Sequence, residues 1–422
     1  TFKYLKFYFD FGNFQLEGVV WLIEYYYVLS VLLVGLAAAA GASLGRRLGF
    51  PRAVVLILFG IFLSMLSYGG VRVVSFPRAA AEAVATLSFI VVLFQSAFLV
   101  KLREGDSLSG GVLRFSILFL VLSLLVVSSF SVLLFGFDFF AALIFSVLSV
   151  QTASEFATRL FRRERSLSSA VLSCESVLVT PFLMLLPLLV LEMRSILGSV
   201  VNSGRLAAYL FFVFQQLAIG ASCAILFGII FVKALKKRYS PLLSPAVLLL
   251  GLLLSYFVAQ GINSSGIVAV VVYALIFSLV YVKGKGHIVE FMSQLETPIR
   301  LVVFLLAGLS VWSVSFSISL LLRSLLIFLI VAAVRLLSAE LTLKGLNFWE
   351  KLFVALSLRK GAATAALVLA LSFYPMPGMR EMLSVFLIVV ILSIISAKLA
   401  EHYLEGFTRA HLVRRNVSVE EL

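Results

Sequence analysis

The chain reads as an all-α polytopic membrane protein, with about thirteen transmembrane helices as two inverted six-helix repeats plus a linker helix, and with two broken crossing helices. Three observations predict this. Of the 422 residues, 62% are hydrophobic and only 13% charged, with a mean hydropathy of +1.14, a balance that no soluble domain of this length carries. Apolar runs of spanning length recur along the whole chain. The lysines and arginines gather in alternate loops.

Taken in order, residues 1–24, containing FKYLKFYFDFGNFQLEGVVWL, are aromatic and mixed, and either lie in the membrane interface or begin the first span. Apolar runs follow at 25–45, 51–68, 80–100, 111–135, 139–160, 167–191, 206–235, 243–260, 265–282, 298–312, 317–339, 350–374 and 380–400, the run at 298–312 being the shortest. Each is near the ~20 residues a bilayer needs, and helix is the form in which such runs satisfy their own backbone in lipid. The membrane region is therefore 25–400, with 25–191 as first repeat, 206–235 as linker helix and 243–400 as second repeat. Residues 401–422 form a charged tail. No positively charged leader with a cleavage site is recognisable, and the chain starts at a threonine, which leaves the true N-terminus open.

Charge placement supports the number of spans. Arg46, Arg47 and Arg52, then Lys101, Arg103 and Arg114, then Arg162, Arg163 and Arg165 mark the first, third and fifth loops. Lys233, Lys236, Lys237 and Arg238, then Lys283 and Lys285, then Lys344 and Lys351 mark the later odd loops, and Arg409, Arg414 and Arg415 follow the last helix. The even loops near Phe137, Gly261 and Ser313 carry none. The positive-inside rule then puts the odd loops and the C-terminus in the cytoplasm and the N-terminus outside, in the cell membrane. The net charge of +14 thus belongs to membrane orientation and not to nucleic acid, for which no groove or stacking platform is visible. Cys174 and Cys223 lie inside apolar runs and read as packing residues.

Six spans, a linker and six more give halves of opposite orientation, a common architecture of secondary transporters. The fifth helix of each half carries a polar interruption: Gln151-Thr152-Ala153-Ser154-Glu155 in one, Ser357-Leu358-Arg359-Lys360-Gly361 in the other. Broken helices aim backbone dipoles and freed carbonyls at mid-membrane, so breaks near Thr152 and Gly361 point to a transport site. Glu155 and Glu175 stand in or next to these segments, where a carboxylate needs a water-filled cavity or a partner cation.

LAAAAGASLGRRLGFPRAVVLILFGIFLS, SCESVL, GINSSGIVAVVVYALIFS, FLLAGLSV and LFVALSLRKGAATAALVLAL, in this order and spacing, resemble motifs of the monovalent cation/proton antiporters, with some features of the potassium-efflux branch. The resemblance covers nearly the whole membrane region. It implies a homodimer whose core bundle moves against a dimer domain to give alternating access. The nucleotide-binding domain that often follows the potassium-efflux transporters has no counterpart in the short tail.

The ion-site residues of that family transfer only in part. Its Thr-Asp-Pro of the fifth helix falls on Thr152, Ala153 and Ser154, and its Asn-Asp of the sixth on Val179 and Thr180; a second register puts the carrier at Ser176. Neither register supplies a carboxylate. Glu175 matches the glutamate that pairs with an arginine of the eleventh helix, here Arg335, with a carrier role as the alternative. Glu155, three residues past Thr152, is either a substitute carrier on the same helix face or a residue of the cytoplasmic helix end paired with Arg159 or Arg162. Where the resemblance expects Leu-Arg-Gly, this chain inserts Lys360. Arg359 reads as the cation that neutralises a half-helix C-terminus, and Lys360 as the more titratable of the two. Glu82, Gln95, Gln215, Gln216 and Arg323 read as packing or interface groups.

Enzyme chemistry finds no constellation: His287, His402 and His411 lie in loops or the tail, and neither a nucleotide fingerprint nor a nucleophile elbow is present. No cofactor is expected, and no metal beyond a transported cation. The expected function is therefore exchange of Na+ or K+ for H+, with the lipid bilayer as the other partner. The alternative is an antiporter-fold chain that has lost cation exchange, acting as a scaffold or carrying another solute, an anion in view of Arg359 and Lys360.

Overall fold

A computed structural model describes residues 14–47, 50–68, 71–72, 74, 78–98, 109–153, 167–200, 206–237, 240, 243–280, 285–311, 317–374 and 376–415. Helix occupies part of every predicted apolar run. The elements are α1 (Phe14–Arg47), α2 (Arg52–Met65), a two-residue hairpin of β1 (Ser67–Tyr68) and β2 (Val71–Arg72), and α3 (Arg78–Phe98). Next come α4 (Ser109–Leu122), which runs through a π turn over Ser123–Val127 into α5 (Ser128–Phe135), then α6 (Phe139–Val150), α7 (Leu167–Val200) and α8 (Leu206–Lys237). The second half holds α9 (Leu243–Gly261), α10 (Gly266–Leu279), α11 (Lys285–Val311), α12 (Ile318–Thr342), α13 (Phe348–Leu356), α14 (Ala362–Leu371) and α15 (Met379–Arg415).

Among the described residues, seven helices are long and apolar enough to cross a membrane by length and composition. Their burial separates centre from periphery: 67% of the apolar windows of α3 and α15 is buried inside the protein, against 22% for α8. Large apolar side chains such as Leu36, Phe62, Phe214, Leu322 and Leu133 point outward, a surface suited to lipid rather than water.

Two boundaries differ from the sequence reading. The short run at 298–312 is the apolar end of a helix that starts at Lys285, and its polar first turns hide it from hydropathy. Residues 14–24, left open between interface and span, belong to the same helix as the first apolar run.

Helix ends at both predicted positions; the second interruption is seen on both sides, while residues 154–166, after the first, lie outside the described residues. Helix α6 stops at Val150, and Gln151 to Ala153 are non-helical, with Gln151 at φ −57°, ψ 138°. Helix α13 stops at Leu356, Ser357 to Gly361 are non-helical, and α14 resumes from an extended Gly361 at φ −108°, ψ −173°. Polar side chains that compete for backbone bonds, together with Gly361 at the second position, favour the loss of helix there.

The scaffold around the breaks depends on close helix contact. Helices α2 and α11 cross at Gly60 and Gly308, each of which lies against the backbone of the other helix: a Cβ at Gly60 would overlap Leu305 O, and one at Gly308 would overlap Ile57 O. Only glycine permits that approach, the usual way for membrane helices to gain packing where no hydrophobic drive exists between them. Gly60→Ala is therefore expected to destabilise the protein by ~1–3 kcal/mol, read as a lower melting midpoint in detergent. Gly35→Ala, where a Cβ meets nothing within 4 Å, should leave the midpoint unchanged.

Candidate functional site

A helix that ends inside an apolar core leaves its last carbonyls without partners, and each costs several kcal/mol if left so in lipid. The first break solves this with Lys360. Its Nζ, on the second break, donates to Ser149 O and Gln151 O, both at 2.6 Å, and the side chain is buried. The two breaks also share a backbone bond, Ala153 N to Arg359 O at 2.8 Å, and Thr180 Oγ1 of α7 donates to Thr152 O at 3.3 Å. The two interrupted segments thus cross in contact.

The second break has its own cation. The Nε of Arg335 on α12 donates to Val354 O at 3.0 Å, in the last turn of α13, and its two terminal nitrogens donate to Glu175 Oε1 at 2.9 Å and Oε2 at 2.6 Å. The guanidinium lies over the rings of Phe119 and Phe115, 5.0 and 5.3 Å from their centroids. Ser357 N donates to Phe353 O and Ser396 Oγ to Leu356 O, which satisfies two more carbonyls of the same helix end. Arg335 is fully buried and ties α12 to α4, α7 and α13 at once. Fork geometry, stacking and a permanent charge suit arginine to that place.

These observations place two helix ends, each held by a buried cation, in the core of a chain whose described residues are almost all helical. A family model described as sodium/hydrogen exchanger, transmembrane, matches residues 29–400. The chain belongs to the sodium/hydrogen exchanger family. Among solved structures, it is similar to the sodium proton antiporter MjNhaP1 from Methanocaldococcus jannaschii, with a TM-score of 0.69 and 18% identity over 90% of this chain and 100% of that one. That likeness carries the fold. A search of curated proteins finds no match. With its apolar helices, membership in this exchanger family makes the chain an integral membrane protein.

The residues singled out in the sequence distribute as follows. Thr152, Thr180, Lys360 and Arg359 meet at the crossing. Ser176 is buried, but its hydroxyl donates to Ser173 O within its own helix. Ser154 and Glu155 lie outside the described residues, as do Arg159 and Arg162. One assignment is corrected: Lys360, not Arg359, neutralises the α6 C-terminus, while Arg359 turns its guanidinium to Glu401 at 3.7 Å.

The state of several polar groups was not anticipated. Gln151 is fully buried at the break, with neither side-chain Oε1 nor Nε2 hydrogen-bonded, and Ser357 Oγ is buried in the same condition on the other break. Gln95, read as a packing group, donates to Glu296 Oε2 at 2.5 Å, and Arg300 holds Glu296 Oε1 at 2.7 Å. The signal for this network was Gln95 itself, a polar residue within an apolar run, together with Glu296 and Arg300 one helical turn apart. Glu82 and Gln216 line a second cavity, and the exposed Arg323 caps Leu134 O at 3.1 Å.

Removing one member of a buried pair leaves the other as an uncompensated charge, which costs ~3–5 kcal/mol. Glu175→Gln and Arg335→Met should each lower the melting midpoint of the purified protein more than the double variant does. Losses that simply add in this cycle would show that the two side chains do not stabilise each other.

Proposed function

We propose that the chain is a secondary antiporter that exchanges a monovalent cation, Na+ or K+, for H+ by alternating access. In this reading it is a homodimer in the cell membrane with its N-terminus outside and its C-terminus in the cytoplasm. The crossing of the two interrupted helices, within a chain of the sodium/hydrogen exchanger family, carries the proposal. In this reading the spans number thirteen, 25–191 and 243–400 are the inverted repeats, 206–235 links them, and 401–422 is a cytoplasmic tail.

Coupling opposite fluxes by competition needs one group that holds either a proton or a cation. Thr152, Ser154, Ser176 and Thr180 offer oxygen ligands, yet a hydroxyl does not titrate near neutral pH. Among the described residues at the crossing, the one carboxylate is Glu175, and both of its oxygens are taken by Arg335. Lys360 is committed to two carbonyls. Glu155 is left as the carrier, three residues beyond Thr152 and on the same break.

Proteoliposomes with a preset pH gradient test this. Addition of Na+ or K+ should collapse the gradient in the wild type, with flux falling as acid protonates the carrier. Glu155→Gln should abolish the exchange while leaving the protein folded. Exchange by that variant with unchanged pH dependence would remove Glu155 from the mechanism. If the wild type is silent and Val179→Asn with Thr180→Asp confers exchange, the chain is a degenerate antiporter instead.

A further inference from the structure

Next to the crossing lies a cavity of about 390 Å³, bordered by Ala153 and Gly361. Its described wall carries the cations Arg52, Arg300, Arg359, Lys360 and Lys398, with Glu401 as its one carboxylate. Glu296, 2.7 Å from Arg300, is a second acid close by. Whatever the pairing among these groups, the cations outnumber the acids. The ten-residue half-helix α14 adds to the positive field: its first residue, Ala362, lines the cavity, and Gly361 before it provides no side-chain cap for the leading amides.

The cavity beyond the other side of the core makes the contrast. It is larger, about 520 Å³, and its described wall has Glu82 as its one charged group among Gln216, Gln260, Asn263 and the phenols of Tyr256 and Tyr374. Among the described residues the positive wall is confined to one side of the crossing, the side on which Arg52 and the other basic loop residues gather. Such a wall repels a cation and concentrates anions.

We propose that the 390 Å³ cavity binds an oxyanion of the phosphate type, held by Arg52, Arg359 and Lys398. Two guanidinium forks match pairs of phosphate oxygens, and a lysine serves the same group as a point charge. Lys360, engaged with Ser149 O and Gln151 O, supplies field rather than a contact. The bound anion offsets the positive field of the described wall beside Ala153. The phosphate group comes either from a dissolved anion or from the headgroup of an anionic lipid, and the site chemistry is the same for both.

The inference goes beyond the exchange reading and does not depend on it, since its test measures binding and not flux. The full chain in nanodiscs of zwitterionic phosphatidylcholine is titrated with inorganic phosphate by calorimetry, and retained phosphatidylglycerol is measured by native mass spectrometry after incubation with that lipid. Saturable phosphate binding that Arg52→Gln with Lys398→Gln weakens by about tenfold or more identifies a dissolved anion. Phosphatidylglycerol retention that the same double variant abolishes, and that blocks phosphate, identifies a headgroup. Glu401→Gln should tighten whichever ligand binds by several-fold, a gain that a misfolded variant cannot imitate. Arg323→Gln, far from the cavity, should change neither. Absence of both kinds of binding, wild-type affinity in the double variant, or no tightening in Glu401→Gln overturns the proposal.

Discussion

The structure depends on how a helix is allowed to end inside an apolar core. Carbonyls freed at such an end have no water to bond, and in this chain each of the two broken helices ends on a buried cation: α6 on Lys360, α13 on Arg335. The cations differ in how they are held. Arg335 is charge-balanced by Glu175 and stacked over two phenyl rings, so it forms a fixed joint between four helices. Lys360 donates to two neutral carbonyls, and it comes from the opposite break. The first is architecture, and the second makes the integrity of one interrupted helix conditional on the position of the other.

That dependence bears on transport. Alternating access requires that parts of a core move as units around a site. The cross-break bonds from Lys360 and from Ala153 N to Arg359 O bind the two breaks into one unit. The glycine-to-glycine approach of α2 and α11 places another close-packed pair beside it, with Leu56 and Phe304 reaching the basic cavity from those helices. The amide of Gln151 is buried at the end of α6, beside these bonds.

Much of this was legible in the sequence, for physical reasons. Long apolar runs declare helices because lipid permits little else, and a carboxylate within such a run needs a partner cation; that the partner of Glu175 is Arg335, 160 residues away, came from the resemblance to the cation/proton antiporters. Polar clusters at Gln151 and Ser357 declared the breaks. Inside a break, however, helical periodicity no longer says which way a side chain points, and so the helix-end role was given to Arg359 and not to its neighbour Lys360. Phe115 and Phe119 look like any other aromatics in an apolar run until Arg335 is placed over them. Helix α11 was truncated in the reading because hydropathy sees only its apolar end, and Glu296 went unnoticed with the turns that were left out. The basic cavity gathers residues from 52 to 401, a convergence that no local pattern announces.

The central claim is that Lys360 joins the two interrupted helices into one body, and hydrogen–deuterium exchange on Lys360→Met tests it most directly. The substitution keeps an unbranched apolar side chain and removes the three donors. The account predicts faster exchange together at the first break, around Thr152 and Ala153, and at the second, from Ser357 through the leading amides of α14, with the amides of α2 and α11 near Gly60 and Gly308 unchanged. Wild-type protection at both breaks, or loss at one alone, would contradict it.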